Sequence, residues 1–322
     1  MGDRVSRKRR RRNPYAGLLH LLNKRYHDEF VRAELLQNDL TGLRGARIAR
    51  IAEWVRVQLR RVFPHPAATP AHLTEKAEPY CGPTFDAPDA RVSVVIPFRD
   101  RPELLRNCLR SLRWSTFRNF EVVLVDNGSE DPRTDRLLAR IRAQRNVKLV
   151  SRPGPFNFSL LCNAGAAAAS GDHLLFLNND TEVLTRSWLE RMLALAADPA
   201  VGAVGATLLY PDHTIQHAGL LPRSDGMWVH PYRGEPAGAG GAGGELRFVR
   251  SVPAITAACM MIRRDLFDEV GRFDERLPLT LNDIDLCQRV RERGKLVLVT
   301  PRARLIHYEG LSRGYTIDPP EA

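Results

Sequence analysis

The chain has few cysteines and no long apolar run, and each absence excludes a class of protein. Its five cysteines are an odd number, and no two of them have the CxxC spacing of a redox or zinc motif. A disulfide framework is therefore not expected, which favours a reduced compartment such as the cytoplasm. No stretch of about 18 uncharged apolar residues occurs, so the sequence predicts no membrane-spanning helix.

Signals for secretion and for phosphate-binding loops are also missing. The apolar stretch from Tyr15 to Leu22 is too short for a signal peptide and runs into Asn23, Lys24 and Arg25. No GxxxxGKS or GxxxxGKT sequence occurs, which leaves P-loop chemistry without support.

One GxGxxG sequence is present, from Gly238 to Gly243, but its surroundings argue against a dinucleotide site. Such a site needs a strand before the glycines and a helix after them, so that the pyrophosphate meets the helix N-terminus. Here Arg233-Gly234-Glu235-Pro236 precedes the match and further glycine follows. We therefore interpret the run as a flexible loop that could close over a site.

Lysine is scarce, with 5 against 43 arginines, and the net charge of +11 is unevenly distributed. Residues 1–14 contain seven basic residues and one acidic residue, a net charge of +6, which leaves +5 for the other 308 residues. Repulsion among these cations predicts a disordered basic arm. Its partner is an anionic membrane or nucleic acid, unless it is only a solubilising tail. Nucleic acid is the less favoured partner, because the rest of the chain shows no recognition motif for it.

Two further segments separate the arm from the rest of the chain. Residues 15–63 are predicted as a helical extension, because Ile48, Ile51, Val55 and Leu59 share one helical stripe among arginines. This helix either lies on an anionic membrane or packs on the next domain, and both interpretations stay open. Residues 64–90 contain six prolines, which disfavour regular structure and predict a linker.

From Arg91 onward, short apolar runs alternate with helical patterns. The predicted strands lie at 92–96, 122–125, 147–150 and 174–177, and the predicted helices begin at Pro102, Thr134 and Leu160. Strands that alternate with helices predict an α/β fold with a mostly parallel, Rossmann-like sheet flanked by helices.

Acidic residues follow three of these strands. Asp100, Asp126 and Asp180 lie at or just after the carboxyl ends, where open α/β sheets bind their ligands. Three acids on one edge predict a site for a polar ligand or a metal. The sequence Asn178-Asn179-Asp180 fits a divalent cation, although the three residues taken alone favour an Asx turn that caps a helix near Thr185.

Two later segments contain further candidate residues. Asp283 and Asp285 are two positions apart on a predicted helix, so they point to different sides and should have different roles. One could be a general base, but acids in a first turn also simply stabilise the helix dipole. His307 follows the predicted strand 296–299, and a single histidine is more often structural than a ligand.

The order of these segments resembles the family 2 glycosyltransferases, which have the GT-A fold. The resemblance covers residues 91–314, leaves 315–322 as a tail, and is closest to bacterial enzymes of O-antigen, rhamnan and other surface polysaccharides. It rests on six segments in order, namely Val94-Val95-Ile96-Pro97-Phe98-Arg99-Asp100, Val125-Asp126-Asn127-Gly128-Ser129, Pro155-Phe156-Asn157-Phe158-Ser159, Leu177-Asn178-Asn179-Asp180, Asn282-Asp283-Ile284-Asp285-Leu286, and His307-Tyr308-Glu309 with Ser312-Arg313-Gly314.

The resemblance implies a nucleotide-diphosphate sugar donor and a divalent cation, Mg²⁺ or Mn²⁺. Asp180 matches the last acid of the family's D-x-D motif and His307 matches a position that completes the metal site. Asn178 replaces the first acid of that motif, which implies a modest metal affinity. The residues implied for nucleotide-sugar binding are Pro97, Phe98, Asp100, Asp126, Arg152, Asn163 and Asn179.

The resemblance also implies an inverting reaction in which Asp283 is the general base for a hydroxyl of a glycan or lipid-linked acceptor. Asn282 stands where the family has Glu, which removes a like charge beside that base. Asp285 is implied to orient the loop or the acceptor, and His217, Trp228 and His230 lie in the segment expected to face the acceptor. Small residues from Thr256 to Cys259 are expected to line the donor-sugar pocket.

Two functions follow as hypotheses. The first is a metal-dependent, inverting hexosyl- or deoxyhexosyltransferase of surface polysaccharide biosynthesis in the cytoplasm, with peripheral contact at the inner face of the plasma membrane left open. The alternative is a nucleic-acid- or membrane-binding protein that acts through its basic arm and carries a non-catalytic nucleotide-sugar-binding domain.

Overall fold

The computed structural model describes residues 75, 77–82, 90–142, 144–238, 240–241 and 244–308. The predicted basic arm (1–14), helical extension (15–63), most of the linker (64–90) and the tail (315–322) lie outside the described residues. None of the helices within the described part has the length and apolar character needed to cross a membrane.

The first half of the fold alternates strands and helices as the sequence predicts. Its elements are the two-residue strand β1 (Glu78–Pro79), followed by β2 (Val92–Phe98), α1 (Pro102–Leu112), β3 (Phe120–Asp126), α2 (Pro132–Ile141), β4 (Val147–Ser151), α3 (Phe158–Ala168) and β5 (His173–Leu177). Strand β2 pairs in parallel with both β3 and β5, and β3 pairs in parallel with β4. The carboxyl ends of β5, β2, β3 and β4 therefore meet at one edge.

The second half adds shorter strands and more irregular connections. Its elements are β6 (Thr181–Val183), α4 (Trp188–Ala196), β7 (Val201–Leu209), β8 (Ile215–His217), β9 (Leu221–Pro222), β10 (Trp228–Val229), a 3-10 turn (Glu245–Arg247), β11 (Arg250–Ser251), β12 (Cys259–Arg263), α5 (Arg264–Glu269), α6 (Asn282–Glu292) and β13 (Leu296–His307).

All of these strands except β9 and β10, which form a separate ribbon, join one sheet in the order β1-β11-β13-β7-β12-β5-β2-β3-β4, with β6 on β13 and β8 on β7. Strand β12 is antiparallel to both β5 and β7, whereas β13 is parallel to β7. The sheet is therefore mixed, and the predicted parallel pairing describes its β5-β2-β3-β4 part. A strand that is buried on both faces is a continuous apolar run whichever way it points, so the sequence carried no signal for the reversal of β12.

Helices cover both faces of the parallel strands, and β2 is buried over its whole length. Helix α1 buries Leu105, Cys108 and Leu112 at helical spacing against the sheet. Helix α3 approaches more closely, because a side chain at Gly165 would collide with Val95 and Val125. The close approach explains why α3 is rich in glycine and alanine.

The described residues around the glycine-rich run lack the strand and helix that a dinucleotide site needs. Of its residues, Gly240 and Gly241 have φ angles of 78° and 76°, in the left-handed region that favours glycine. Within the described residues, no strand leads into the run, and only the three-residue turn Glu245–Arg247 follows it. The prediction that the GxGxxG match has no nucleotide-binding geometry is consistent with this arrangement.

A buried carboxylate joins the strands at the edge opposite to the carboxyl ends. Glu121 on β3 accepts hydrogen bonds from the Ser93 hydroxyl at 2.7 Å and from the Ser170 backbone N–H at 2.6 Å. Arg91 and Lys148 lie 3.2 and 3.1 Å from its second oxygen. Burial alone would raise the pKa of Glu121, but these hydrogen bonds outweigh burial and lower the pKa to about 2.

We expect Glu121 to make the fold sensitive to acid. Because its pKa is lowered in the folded state, its contribution is complete above the unfolded value near 4.5 and is lost as the pH falls toward 2. Glu121→Gln should lower the free energy of unfolding at pH 7 by about 1–3 kcal/mol. It should also weaken the pH dependence between pH 5 and 3, measured by urea unfolding. Glu130→Gln, at an exposed position, is the control. Equal pH slopes for Glu121→Gln and the wild type would contradict this role.

Candidate active site

The three predicted acids lie on one edge of the sheet. Asp126 is the last residue of β3 and is in register with Phe98 of β2, and Asp100 follows two residues later. Asp180 follows β5 and precedes β6, which pairs with the end of β13. The edge thus has two parts, one at the ends of β2 and β3 and one where β5, β6 and β13 meet.

Asp100 and Asp126 shape the turn between β3 and α2. One oxygen of Asp126 accepts hydrogen bonds from the backbone N–H and the hydroxyl of Ser129, at 2.9 and 2.7 Å. One oxygen of Asp100 accepts from the backbone N–H groups of Glu130 and Asp131, both at 2.8 Å. Asp100 also has a φ of 51°, a conformation that costs energy and is common at binding sites.

The neighbouring predicted residues occupy different environments. Pro97 and Phe98 are buried in β2, with only 2% of Phe98 exposed, so the Phe98 side chain belongs to the core and not to an open nucleotide pocket. Arg152 follows β4 with an exposed side chain, and its backbone carbonyl accepts a 2.8 Å hydrogen bond from the Asn127 amide. The same amide donates to the carbonyl of Gly154 at 3.2 Å. Asn127, which the sequence analysis did not select, therefore connects the ends of β3 and β4.

Asn163 faces a loop of the chain itself. Its amide nitrogen donates to the Phe273 carbonyl and to the Glu275 carboxylate, both at 3.0 Å, and its oxygen accepts from the Phe273 N–H at 3.1 Å. Asn157 donates to the Glu275 carbonyl at 2.8 Å, and Ser159 donates to the Leu277 carbonyl at 2.6 Å. The segment 157–163 therefore holds the loop that leads into α6.

Asp180, Asn178 and His307 form a buried polar cluster. Asp180 is 2% exposed, and its Oδ1 lies 3.3 Å from His307 Nε2. The amide nitrogen of Asn178 lies 3.2 Å from the same ring nitrogen. Asn179 is also buried, and its amide nitrogen has no hydrogen-bond partner within the described part of the chain.

The prediction that Asn178-Asn179-Asp180 forms a turn that caps the following helix is wrong. Strand β6 follows Asp180 directly, and α4 begins only at Trp188 with Ser187 at its cap position. The cluster therefore does not cap that helix, and its polar groups remain on the edge of the sheet.

The chemistry of the cluster fits a divalent cation that a ligand helps to hold. A carboxylate and an imidazole are within 3.3 Å of each other, and an amide lies beside them. Among the described residues there is no group of three or more His, Cys, Asp or Glu side chains arranged to hold a metal ion. A metal at Asp180 and His307 would thus need oxygen atoms from a bound diphosphate, as Mg²⁺ sites commonly do.

Asp283 lies in the first turn of α6, directly after Leu281 and Asn282. One carboxylate oxygen accepts from the Ile284 N–H at 2.8 Å, and the other accepts from the Ala257 N–H at 3.3 Å. Burial raises the pKa of Asp283, although these hydrogen bonds and one from the Thr256 side chain lower it. A carboxylate with a raised pKa is a better general base than an exposed aspartate.

Asp285 has a different environment from Asp283, as the spacing predicts. Its Oδ2 accepts hydrogen bonds from Arg289 Nε and Nη2 at 3.0 and 2.6 Å, and Arg289 also donates to the Val270 carbonyl at 2.5 Å. Asp285 therefore fastens α6 to the end of α5. The Asp285 carboxylate forms a salt bridge with Arg289 and thereby orients α6.

The three residues predicted to face the acceptor lie in β8, in β10 and just after β10. His217 is buried and its Nδ1 lies 3.0 Å from Nδ1 of His230, while Trp228 on β10 is partly exposed. Burial, and next the proximity of His230, Arg250 and His307, holds the pKa of His217 well below its usual value. His217 is therefore neutral at physiological pH.

The hydrogen bond from one backbone N–H determines which ring nitrogens of this histidine pair carry protons. The Thr256 N–H donates to His217 Nε2 at 3.4 Å, so the proton of neutral His217 is on Nδ1. That proton is donated to His230 Nδ1, which leaves the proton of neutral His230 on Nε2.

Comparison with known families and proteins identifies this arrangement. The family described as Glycosyl transferase family 2 matches residues 93–271, which is more than half of the chain. The matched segment contains Asp100, Asp126 and Asp180, whereas Asp283 and His307 follow it.

Two curated relatives illustrate the sequence similarity. The O-antigen biosynthesis protein RfbC of Myxococcus xanthus is 42% identical over 225 residues, which cover 69% of this chain and 18% of that protein. The chain thus spans less than a fifth of that relative. The N-acetylglucosaminyl-diphospho-decaprenol L-rhamnosyltransferase of Mycobacterium tuberculosis (strain ATCC 25618 / H37Rv) is 27% identical over 249 residues, which cover 69% of this chain and 76% of that enzyme.

Two solved structures share the fold at low sequence identity. GalNAc-T7 with UDP, GalNAc and Mn²⁺ superposes with a TM-score of 0.58 and 19% identity, covering 68% of this chain and 43% of that chain. The mannosyltransferase PcManGT from Pyrobaculum calidifontis, in complex with GDP-Man and Mn²⁺, gives a TM-score of 0.56 and 18% identity, covering 74% of this chain and 62% of that chain. The fold is of the GT-A type. Since the family match covers more than half of the sequence, the chain belongs to glycosyltransferase family 2.

Proposed function

We propose that the chain transfers a hexosyl or deoxyhexosyl group from a nucleotide-diphosphate sugar to a hydroxyl of a glycan or lipid-linked acceptor, with inversion and with a divalent cation. The observation that carries this proposal is that Asp283 and Asn178 are hydrogen-bonded to two adjacent residues, Ala257 and Ala258. Ala257 donates its N–H to Asp283, and Ala258 accepts from the Asn178 N–H at 3.0 Å. The candidate base and the candidate metal cluster are thus bound to adjacent residues.

The donor is expected to lie along the edge of the parallel strands. Asp100 and Asp126 are suited to accept hydrogen bonds from the base or ribose of the nucleotide, because each has a carboxylate at the end of a strand. Asn179 and the exposed Arg152 are further contacts in this proposal. Phe98 and Asn163 support the edge through packing and through the loop 273–277.

Asp180 and His307 would hold the cation, with Asn178 beside them. When bound, Mg²⁺ or Mn²⁺ supplies positive charge that stabilises the leaving diphosphate. Asp180 and His307 place that charge at the end of β5 and β13, so the residues of the chain fix where the diphosphate lies.

Asp283 would accept the proton of the acceptor hydroxyl. As that oxygen forms its bond to the anomeric carbon, the bond from this carbon to the diphosphate oxygen breaks on the opposite face, which inverts the configuration. The proton goes to the Asp283 carboxylate, and the electron pair leaves with the diphosphate. The raised pKa of Asp283 makes this transfer more favourable than it would be for an exposed aspartate.

His217, His230 and Trp228 would bind the acceptor. His230 lies beside His217 and near β10, and the partly exposed indole of Trp228 suits the apolar face of a sugar ring. The printed name of one relative includes a diphospho-decaprenol acceptor, and that of another includes O-antigen biosynthesis. Both support a role in surface polysaccharide biosynthesis.

Asp283→Asn should lower kcat for sugar transfer by about 100- to 10,000-fold, because the amide cannot accept the proton. Binding of the donor should persist, since the amide keeps the shape of the side chain. Asp268→Asn, on the surface of α5, is the matched control. The measurement is transfer with a panel of nucleotide sugars and Mn²⁺. Undiminished transfer by Asp283→Asn would exclude this residue as the base.

The pH dependence of the wild type tests the same assignment. Because burial raises the pKa of Asp283 and only the carboxylate accepts a proton, activity should rise as the pH passes that raised pKa. The acidic limb of the kcat/KM profile should therefore lie above the value of about 3.9 for a free aspartate. A profile that stays flat down to pH 4 would contradict this expectation.

Asp180→Asn and His307→Ala should each weaken Mn²⁺ binding, because each removes one protein ligand. In a thermal-shift screen of nucleotide sugars, the wild type should gain stability from the donor only when Mn²⁺ is present. Both variants should lose this metal-dependent gain. Thr116→Ala, outside the cluster, should retain it. An unchanged gain in both variants would exclude the cluster as the metal site.

His230→Phe should raise the KM for the acceptor roughly 10-fold, because it replaces a polar imidazole on the proposed acceptor side by an apolar ring of similar shape. Hydrolysis of the donor in the absence of acceptor should be unchanged, since His230 does not contact the donor in this proposal. Steady-state kinetics with varied acceptor measures both quantities. A variant that loses donor hydrolysis but not acceptor affinity would place His230 on the donor side.

A further inference from the structure

A buried amide on β8 contacts the candidate metal ligand twice. Gln216 is 4% exposed, and its Oε1 lies 2.6 Å from His307 Nδ1. Its Nε2 donates to the backbone carbonyl of His307 at 3.3 Å. Neither the sequence motifs nor the proposed chemistry uses this residue.

The position of Gln216 results from a break in strand pairing. Leu208 of β7 pairs with His217, and the next residue, Leu209, pairs with Ile215. Gln216 is therefore the extra residue of a β-bulge, a feature that redirects a side chain next to many active sites. On its other side β7 pairs with β13 through Leu305 and Ile306, just before His307. The Gln216 side chain thus reaches from β8 to the end of β13.

The two contacts fix which amide atom faces the ring. A backbone carbonyl can only accept a hydrogen bond, so the group that donates to the His307 carbonyl must be the amide nitrogen of Gln216. The amide oxygen then faces His307 Nδ1, and an oxygen can only accept. Nδ1 of His307 must therefore carry a proton.

The tautomer decides whether His307 can bind a cation. A neutral imidazole has one proton, and when that proton is on Nδ1 the lone pair is on Nε2. Nε2 is the atom that lies 3.3 Å from Asp180 and 3.2 Å from Asn178. Gln216 thus keeps the lone pair of His307 on the side that faces Asp180 and Asn178.

We propose that Gln216 is a positioning residue that holds His307 in its Nδ1–H tautomer and directs Nε2 toward the cation. The metal part of this inference rests on the proposed function, whereas the tautomer part rests on the hydrogen bonds alone. Partners of this kind typically change metal affinity about 10- to 100-fold when they are removed.

Two variants separate positioning from packing. Gln216→Met keeps the length of the side chain and removes the acceptor, and Gln216→Glu keeps an acceptor at the same place. In metal-free protein with ¹⁵N-labelled histidine, long-range ¹H–¹⁵N spectra report the tautomer of His307, whose signals are assigned by their loss in His307→Asn. The wild type and Gln216→Glu should show Nδ1–H, and Gln216→Met should shift toward Nε2–H.

Mn²⁺ binding, measured by electron paramagnetic resonance with the cation alone and with a nucleoside diphosphate, gives the second readout. Affinity should fall about 10- to 100-fold in Gln216→Met and be retained in Gln216→Glu. Gln288→Met, on α6, is the matched control and should leave both readouts unchanged.

The outcomes distinguish this inference from the proposed function. An unchanged tautomer in Gln216→Met overturns the role of Gln216, whatever the metal affinity is. A changed tautomer with unchanged Mn²⁺ affinity overturns its role toward the cation. If the wild type itself fails to bind Mn²⁺ while the tautomer shift occurs, the proposed metal dependence fails and Gln216 remains a positioning residue of His307.

Discussion

The arrangement of the site depends on three consecutive residues before β12. Thr256 donates its N–H to His217, Ala257 donates its N–H to Asp283, and Ala258 accepts from the backbone of Asn178. Backbone groups of adjacent residues are separated by a few ångströms and cannot move independently. The histidine pair, the candidate base and the candidate metal cluster are therefore held in fixed relation. Ala257 and Ala258 are buried, so small side chains are needed for such close contacts.

The sequence predicted the parallel part of the sheet because burial leaves a clear pattern. Strand β2 is a continuous apolar run, and α1 has apolar residues at helical spacing. The second half is less regular. The predicted strand 296–299 continues as β13 to His307, through a break in register after Thr300. The intervening Pro301 and Arg302 are more typical of a turn, yet this continuation is what brings His307 to Asp180.

In the site, too, some residues follow from a sequence pattern and others are brought together only by the tertiary structure. Asp100, Asp126 and Asp180 were predicted because they follow strands whose carboxyl ends share one edge of the sheet, and the role of Asp283 was implied by the family resemblance. The contacts of Gln216, which join residues 91 positions apart, could not be predicted in this way. A neutral amide has no characteristic spacing, and whether it contacts a ligand, a loop or a histidine depends on tertiary structure. For Asn163, which was expected near the nucleotide, the tertiary structure adds hydrogen bonds to the loop before α6 that the sequence did not indicate.

Several of the buried polar residues of the site are neutral amides, and one of them, Asn282, affects the pKa of Asp283. Asn282 is buried beside Asp283, and its amide donates to the Leu277 carbonyl at 3.4 Å. A glutamate at this position would place a second carboxylate next to Asp283, the proposed base, whose pKa burial already raises. Like charges raise the pKa further, and the base would then be protonated over more of the pH range. The neutral Asn282 therefore leaves Asp283 ionised over more of the pH range than a glutamate would, while its hydrogen bond still fixes the start of α6.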